Sequence, residues 1–142
     1  ERSMNILFFL TPKSEVAYIY AEESLRQALE KMEFHKYSAV PILTRQGRYV
    51  GTLTEGDLLW YIKNQLDLSL QNAQRIPITE VPRRLDNFPV NADCRMEDLL
   101  DKAMQQNFVP VLDDNKSFIG IVTRKDIMRY FSEHYRKVEE AV

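Results

Sequence analysis

Residues 39–62, AVPILTRQGRYVGTLTEGDLLWYI, align without a gap with residues 108–131, FVPVLDDNKSFIGIVTRKDIMRYF. The columns Val40/Val109, Pro41/Pro110, Leu43/Leu112, Gly51/Gly120, Thr54/Thr123, Asp57/Asp126 and Tyr61/Tyr130 are identical. Most of the others keep their character, as in Ile42/Val111 and Tyr49/Phe118. An internal repeat constrains a fold more than any local propensity, because the chain must build one supersecondary unit twice. With 142 residues in all, each copy has about 60, too few to bury a generous core alone. Two copies packed sheet against sheet would solve that problem.

The match extends upstream with a small offset. Leu25, Ala28, Leu29 and Met32 repeat at helical spacing, as do Met96, Leu99, Leu100 and Ala103, so each set makes one apolar stripe on a short helix. Ser24 with Gln27 three residues on reads as a capping box, and Asp93 as the cap of the second helix. Strand candidates precede both helices, Val16–Tyr20 and Asn87–Val90. Inner strands follow at Ala39–Leu43 and Tyr49–Thr54, and at Phe108–Leu112 and Phe118–Thr123. Turn-forming residues at 45–48 and 113–116 join them. The expected fold is therefore α/β (α+β), two β-α-β-β-α repeats related by a pseudo-twofold axis with their sheets packed together. The repeats are expected over 8–66 and 80–134, with residues 67–79 as linker.

Composition excludes several classes. Hydrophobic residues at 44% and charged residues at 28% argue for a globular chain and against disorder. A net charge of −2 gives no general electrostatic reason to expect nucleic acid or an acidic membrane as partner. The single cysteine, Cys94, forms no intramolecular disulfide and suits a reducing, cytoplasmic location. The longest early apolar run, residues 6–10, is too short for a membrane span and lacks the marks of a signal peptide. Residues 1–3 read as an added remnant, with Met4 the natural start.

The repeated phrase Gly-h-h-Thr-x-x-Asp (h for apolar or β-branched) closes a strand and opens a helix. One reading is purely structural. Thr54 and Thr123 cap the helices, Asp57 and Asp126 sit one turn in, and the glycine permits a close strand crossing. The other uses the same geometry for a ligand. A helix N-terminus favours anions, a Thr hydroxyl can donate to a phosphate oxygen, and a carboxylate can accept from the vicinal hydroxyls of a ribose. Gly51 and Gly120 would then leave room for the ligand. The two copies differ between Thr and Asp. Glu55-Gly56 in the first would repel a phosphate, whereas Arg124 and Lys125 in the second would attract one. The second motif is therefore the better anion site, and the first would hold a neutral adenosine portion or nothing.

A Val-Pro strand followed by Gly-h-h-Thr-x-x-Asp, present twice over residues 11–131, resembles the CBS domain, two of which form a Bateman module. The resemblance implies a regulatory, non-catalytic module that binds an adenosine-containing ligand between its halves and often forms homodimers. It implies that Asp57 and Asp126 hold ribose, that Thr54 and Thr123 hold phosphate, and that Ala39-Val40-Pro41 and Phe108-Val109-Pro110 face the base. Thr11 matches a further family ligand position. The second half reads Pro82-Arg83-Arg84-Leu85 there and has no such Thr. The phrases Gln106-Asn107-Phe108-Val109 and Phe118–Arg124 are similar to the two-repeat proteins of Gram-positive bacteria that bind cyclic di-AMP.

Other candidates carry less. His35 and His134 have no matching partners for a metal site or proton relay, Asp113-Asp114 reads as a β-turn, and Trp60, Tyr61 and Tyr130 read as core or dimer-interface packing residues, with lining of the adenine cleft as the alternative. Cys94 stands beside a helix start, where a thiol pKa can fall, but lacks a catalytic partner. No P-loop, nucleophile elbow or C-x-x-C is present. The resemblance implies a sensor, with no catalytic residue, metal or cofactor expected. It would bind AMP, ADP, ATP or cyclic di-AMP and signal to an effector protein. The alternative is a ligand-free interaction or dimerisation module.

Overall fold

A computed structural model describes residues 5–35, 37–65, 68–84 and 86–140. Residues 1–4 and Leu85 lie outside the described residues. The chain forms two compact units, one from residues 17–86 and one from residues 1–16 and 87–142.

The first of these, residues 17–86, carries β2 (Ile19–Tyr20), α1 (Leu25–His35), β3 (Ala39–Leu43), β4 (Tyr49–Thr54), α2 (Glu55–Lys63) and the short α3 (Leu70–Ala73). The other carries β1 (Thr11–Pro12), β5 (Val90–Asn91), α4 (Met96–Gln105), β6 (Phe108–Leu112), β7 (Phe118–Thr123) and α5 (Arg124–Glu140). Their sheets run β2-β3-β4 and β1-β7-β6-β5. The repeat holds to the register. Ala39 pairs with Thr54 and Ile42 with Gly51, as Phe108 pairs with Thr123 and Val111 with Gly120, and both ladders slip at the next residue. Pro41 and Pro110 are tolerated in these inner strands because the parallel neighbours reach only Ile42–Leu43 and Val111–Leu112. At the proline each strand is therefore an edge, and no ladder donor is missed.

The α1 stripe behaves as its spacing predicts, with Leu25, Ala28 and Met32 buried. Gln27 N–H donates to Ser24 Oγ at 3.2 Å, and Ser24 N–H to Gln27 Oε1 at 2.8 Å. Ser24→Ala should therefore cost about 1 kcal/mol in chemical denaturation. The second cap falls elsewhere than expected. Asp93 lies in a turn closed by Cys94 N–H on Asn91 O, and the N-cap is Arg95, with no side-chain cap bond. The apolar stripe beginning at Met96 sets that start, and Arg95 fills the place that Ser24 holds in the first copy. Cys94 also departs from the helix-start argument, since burial, then Asp98 and Asp93, push its thiol pKa up.

Sequence halves and compact units are different divisions. The leading segment, a 3₁₀ turn at Ile6–Phe9 followed by β1, packs with the second copy, where Ile6 and Phe9 are buried beside Val109, Val122 and Ile127. β1 pairs antiparallel with β7, Thr11 opposite Ile121 and Pro12 opposite Gly120. The segment expected as a linker is part of a core: Ala73 and Ile78 are buried with Leu25, Val40 and Leu53. Residue 67 of this stretch, and residue 66 just before it, lie outside the described residues. Leu25 N–H donates to Ile76 O and Ile78 N–H to Glu23 O, which ties the segment to the start of α1.

Candidate functional site

Both motifs place a threonine at the end of a strand and an aspartate one turn into a helix. Thr54 Oγ accepts Asp57 N–H at 3.1 Å, and Thr123 Oγ accepts Asp126 N–H at 3.0 Å. The anchoring to the preceding strand is also shared, Glu55 N–H on Ser38 O and Arg124 N–H on Asn107 O, each at 2.9 Å. The threonine oxygens thus do the capping, and their hydroxyl hydrogens stay available as donors.

The carboxylates differ. Asp57 is 2% exposed, and both of its oxygens accept backbone N–H groups, Oδ2 from Thr54 and Oδ1 from Arg84, each at 3.1 Å. Asp126 is part-exposed and stands 3.6 Å from Arg129 in an exposed ion pair, which contributes little to stability. Its carboxylate accepts no backbone N–H among the described residues, so it is open to other donors.

A cavity of about 290 Å³ lies beside Asp126, lined by Phe8, Phe9, Leu10, Thr11, Arg129, Tyr130 and Glu133. The leading segment closes one side and α5 the other. Phe8, Phe9 and Tyr130 meet edge to face, with centroids 5.1–5.4 Å apart. His134 stacks on Tyr130. Thr11 and Asp126, 115 residues apart in sequence (126 minus 11), therefore line one pocket. The counterpart beside Asp57 is a cavity of about 330 Å³ lined by Trp60, Tyr61, Asn64, Gln65, Glu80, Pro82 and Arg84.

The remaining sequence candidates are placed elsewhere. Arg124 Nε donates to Ala103 O at 2.7 Å, satisfying a carbonyl near the end of α4 that has no helical partner. Lys125 is exposed and lines neither cavity. Val40, Pro41, Val109 and Pro110 are buried, with Ala39 and Phe108 part-buried. The Phe108 carbonyl is engaged by Asn87 Nδ2 at 2.7 Å and Gln106 Nε2 at 3.2 Å. The glycines make room for the chain's own segments. A Cβ on Gly120 would stand 2.2 Å from Thr11 O, and one on Gly51 would stand 2.4 Å from Asp86 Oδ1. Asp86 accepts Thr52 N–H and pairs with Arg83 at 2.8 Å. Burial raises its pKa, but the Arg83 guanidinium and the Thr52 N–H outweigh that and hold it below the usual carboxylate range.

Glu133 was not singled out for this pocket by sequence; Arg129, one turn after Arg124 and Lys125, reads as joining them or facing water, and Phe8 and Phe9 belong to the leading segment, residues 8–14, expected to be ordered by a ligand. Among the described residues no group of three or more His, Cys, Asp or Glu could hold a metal ion. No helix among them is long and apolar enough to cross a membrane.

A sequence profile of the CBS domain matches residues 9–64 and again residues 76–133. The chain belongs to the CBS-domain family. As a tandem CBS protein it is 23% identical over 137 residues to cyclic di-AMP receptor B of Bacillus subtilis, covering 93% of this chain and 89% of that one. The fold matches that of CbpB in complex with c-di-AMP, with a TM-score of 0.85 at 23% identity over 98% of this chain and 91% of that one. It also matches CBSX2 in complex with AMP, at 0.71 and 22%, over 92% and 98%. The chain spans 49% and 40% of the length of two uncharacterized archaeal relatives, from Methanopyrus kandleri and Methanocaldococcus jannaschii, to which it is 28% and 26% identical.

Proposed function

We propose that this CBS pair is a cytoplasmic regulatory protein that binds an adenosine-containing ligand at the pocket beside Asp126. The observation that carries the reading is that Thr11 and Asp126, whose carboxylate accepts no backbone N–H among the described residues, line one aromatic-walled cavity. Asp126 would accept the ribose hydroxyls, and the Thr11 and Thr123 hydroxyls would donate to phosphate or a neighbouring oxygen. Arg129, one turn along α5, supplies a cation for a single phosphate. Glu133 on the same wall opposes a run of phosphates, which favours AMP or cyclic di-AMP over ATP. The names of the relatives, one a cyclic di-AMP receptor and two bound to adenine nucleotides, support the same ligand class.

Occupancy would hold the leading segment against α5 and so shift the population of conformers offered to an effector protein. A second copy of the chain is the other expected partner. Leu59 and Ile62 on α2, and Met128 and Phe131 on α5, expose apolar surface that suits self-association, and light scattering would measure it.

The test is a thermal-shift panel of AMP, ADP, ATP, S-adenosylmethionine and cyclic di-AMP, with GMP and cyclic di-GMP as controls. A ligand at 100 times its Kd stabilises by about 2.7 kcal/mol, several degrees for a chain this size. A shift with an adenine compound and none with its guanine counterpart is expected. No shift with any of them would sink the reading and favour a ligand-free interaction module.

A further inference from the structure

The two copies of Thr-x-x-Asp face different things. Over the first, Arg84 presents two groups at once. Its backbone N–H donates to Asp57 Oδ1 at 3.1 Å, and its guanidinium lies over the indole of Trp60, 4.4 Å from the ring centroid. Lys63 Nζ stands 4.9 Å from the same ring. Pro82 and Glu80 line the same cavity. In the second copy the column that holds Trp60 holds Arg129, and no N–H from another segment reaches Asp126 among the described residues.

A carboxylate at this position recognises a sugar through O–H donors, and an aromatic face recognises a flat group by stacking. Arg84 offers a close substitute for each, an N–H donor to the carboxylate and a planar cation on the indole. We propose that Pro82–Arg84 engages the groups of the first motif that would recognise a ligand, the Asp57 carboxylate and the Trp60 face, as a built-in stand-in for that ligand. Asp57 is then a latch for the segment that leads into the second copy, and each chain takes no more than one adenosine-type ligand, at Asp126. The stoichiometry rests on the adenosine reading above. The latch does not. A ligand at Asp57 would have to break a charge-assisted hydrogen bond inside a buried site and lift a guanidinium from its stack, so its net gain would be small.

Two measurements decide this. Amide hydrogen exchange followed by NMR on the intact, ligand-free chain should find the Arg84 N–H slowed at least about tenfold below its unprotected rate. Exchange at the unprotected rate would overturn the latch. Calorimetric titration with AMP, or with cyclic di-AMP where AMP gives no heat, should saturate at no more than one ligand per chain. Trp60 is the sole tryptophan, so its emission reports on the first pocket directly. It should stay unchanged through that titration and change in Arg84→Ala, which uncovers the indole. Two ligands per chain, or Trp60 emission that tracks occupancy, would overturn the proposal. Absence of heat with every adenine ligand would remove the adenosine reading, leaving the exchange rate of Arg84 to decide the latch.

Discussion

Asp126→Ala is expected to weaken adenine-nucleotide binding about ten- to a hundredfold while leaving the melting temperature nearly unchanged. The affinity loss follows from the charged hydrogen bond it would remove, about 1.5–3 kcal/mol. The small stability change follows from what Asp126 does in the free protein. Among the described residues its carboxylate has only the exposed Arg129 pair, and the helix cap is made by Thr123 Oγ on the Asp126 backbone, which alanine keeps. Asp57→Ala should show the reverse pattern. It leaves the backbone N–H groups of Thr54 and Arg84 without their acceptor in a buried site, at about 1–3 kcal/mol for each such group. Isothermal titration and thermal melts on both variants separate the two roles. Unchanged affinity in a folded Asp126→Ala would remove Asp126 from the site.

That opposition also marks the limit of the sequence. Gly-h-h-Thr-x-x-Asp announces a strand, a cap and an acid one turn into a helix, and both copies deliver these with matching distances. The inner strands and the α1 capping box were legible because each is set by residues a few positions apart. What faces each aspartate was not. Asp57 meets Arg84 across 27 residues of chain, and Asp126 meets Thr11 across the whole length between them. The identical letters therefore hide one carboxylate committed to backbone N–H groups and one that, among the described residues, is held by an exposed ion pair. Charge reasoning pointed to Arg124 for the anion, but an arginine is long enough to choose among acceptors, and the carbonyl of Ala103 took its Nε–H. Arg129, one turn later and open in sequence to either the anion or water, lines the pocket. The same limit explains the linker. Ala73, Ile76 and Ile78 follow neither a helical nor a strand period, so their burial was invisible until α1 supplied the surface they cover.

Gly120→Ala should be the most damaging single methyl group in the chain. Gly120 sits at φ +154°, where L side chains are strained, and its added Cβ would stand 2.2 Å from the Thr11 carbonyl oxygen and 2.9 Å from Leu10 Cδ1. The first contact is with backbone and cannot be relieved by a rotamer change. The least costly escape is release of the leading segment from β7, which exposes Ile6 and Phe9, now 0% and 6% exposed. Each of these side chains loses about 1.5–3 kcal/mol of burial, so a net cost of about 3–5 kcal/mol is expected, or about 10 °C in Tm. The substitution should also lower nucleotide affinity, because Thr11, Phe8 and Phe9 leave the pocket with that segment. Gly51→Ala is the control. Its Cβ would meet the Asp86 carboxylate and the Arg83 guanidinium, side-chain ends that can swing aside at the loss of the Thr52 N–H bond, about 1–2 kcal/mol. Denaturant melts on the two variants should therefore differ at least about twofold in destabilisation, with the affinity loss confined to Gly120→Ala. Equal destabilisation would mean that β1 is not held by its fit against Gly120.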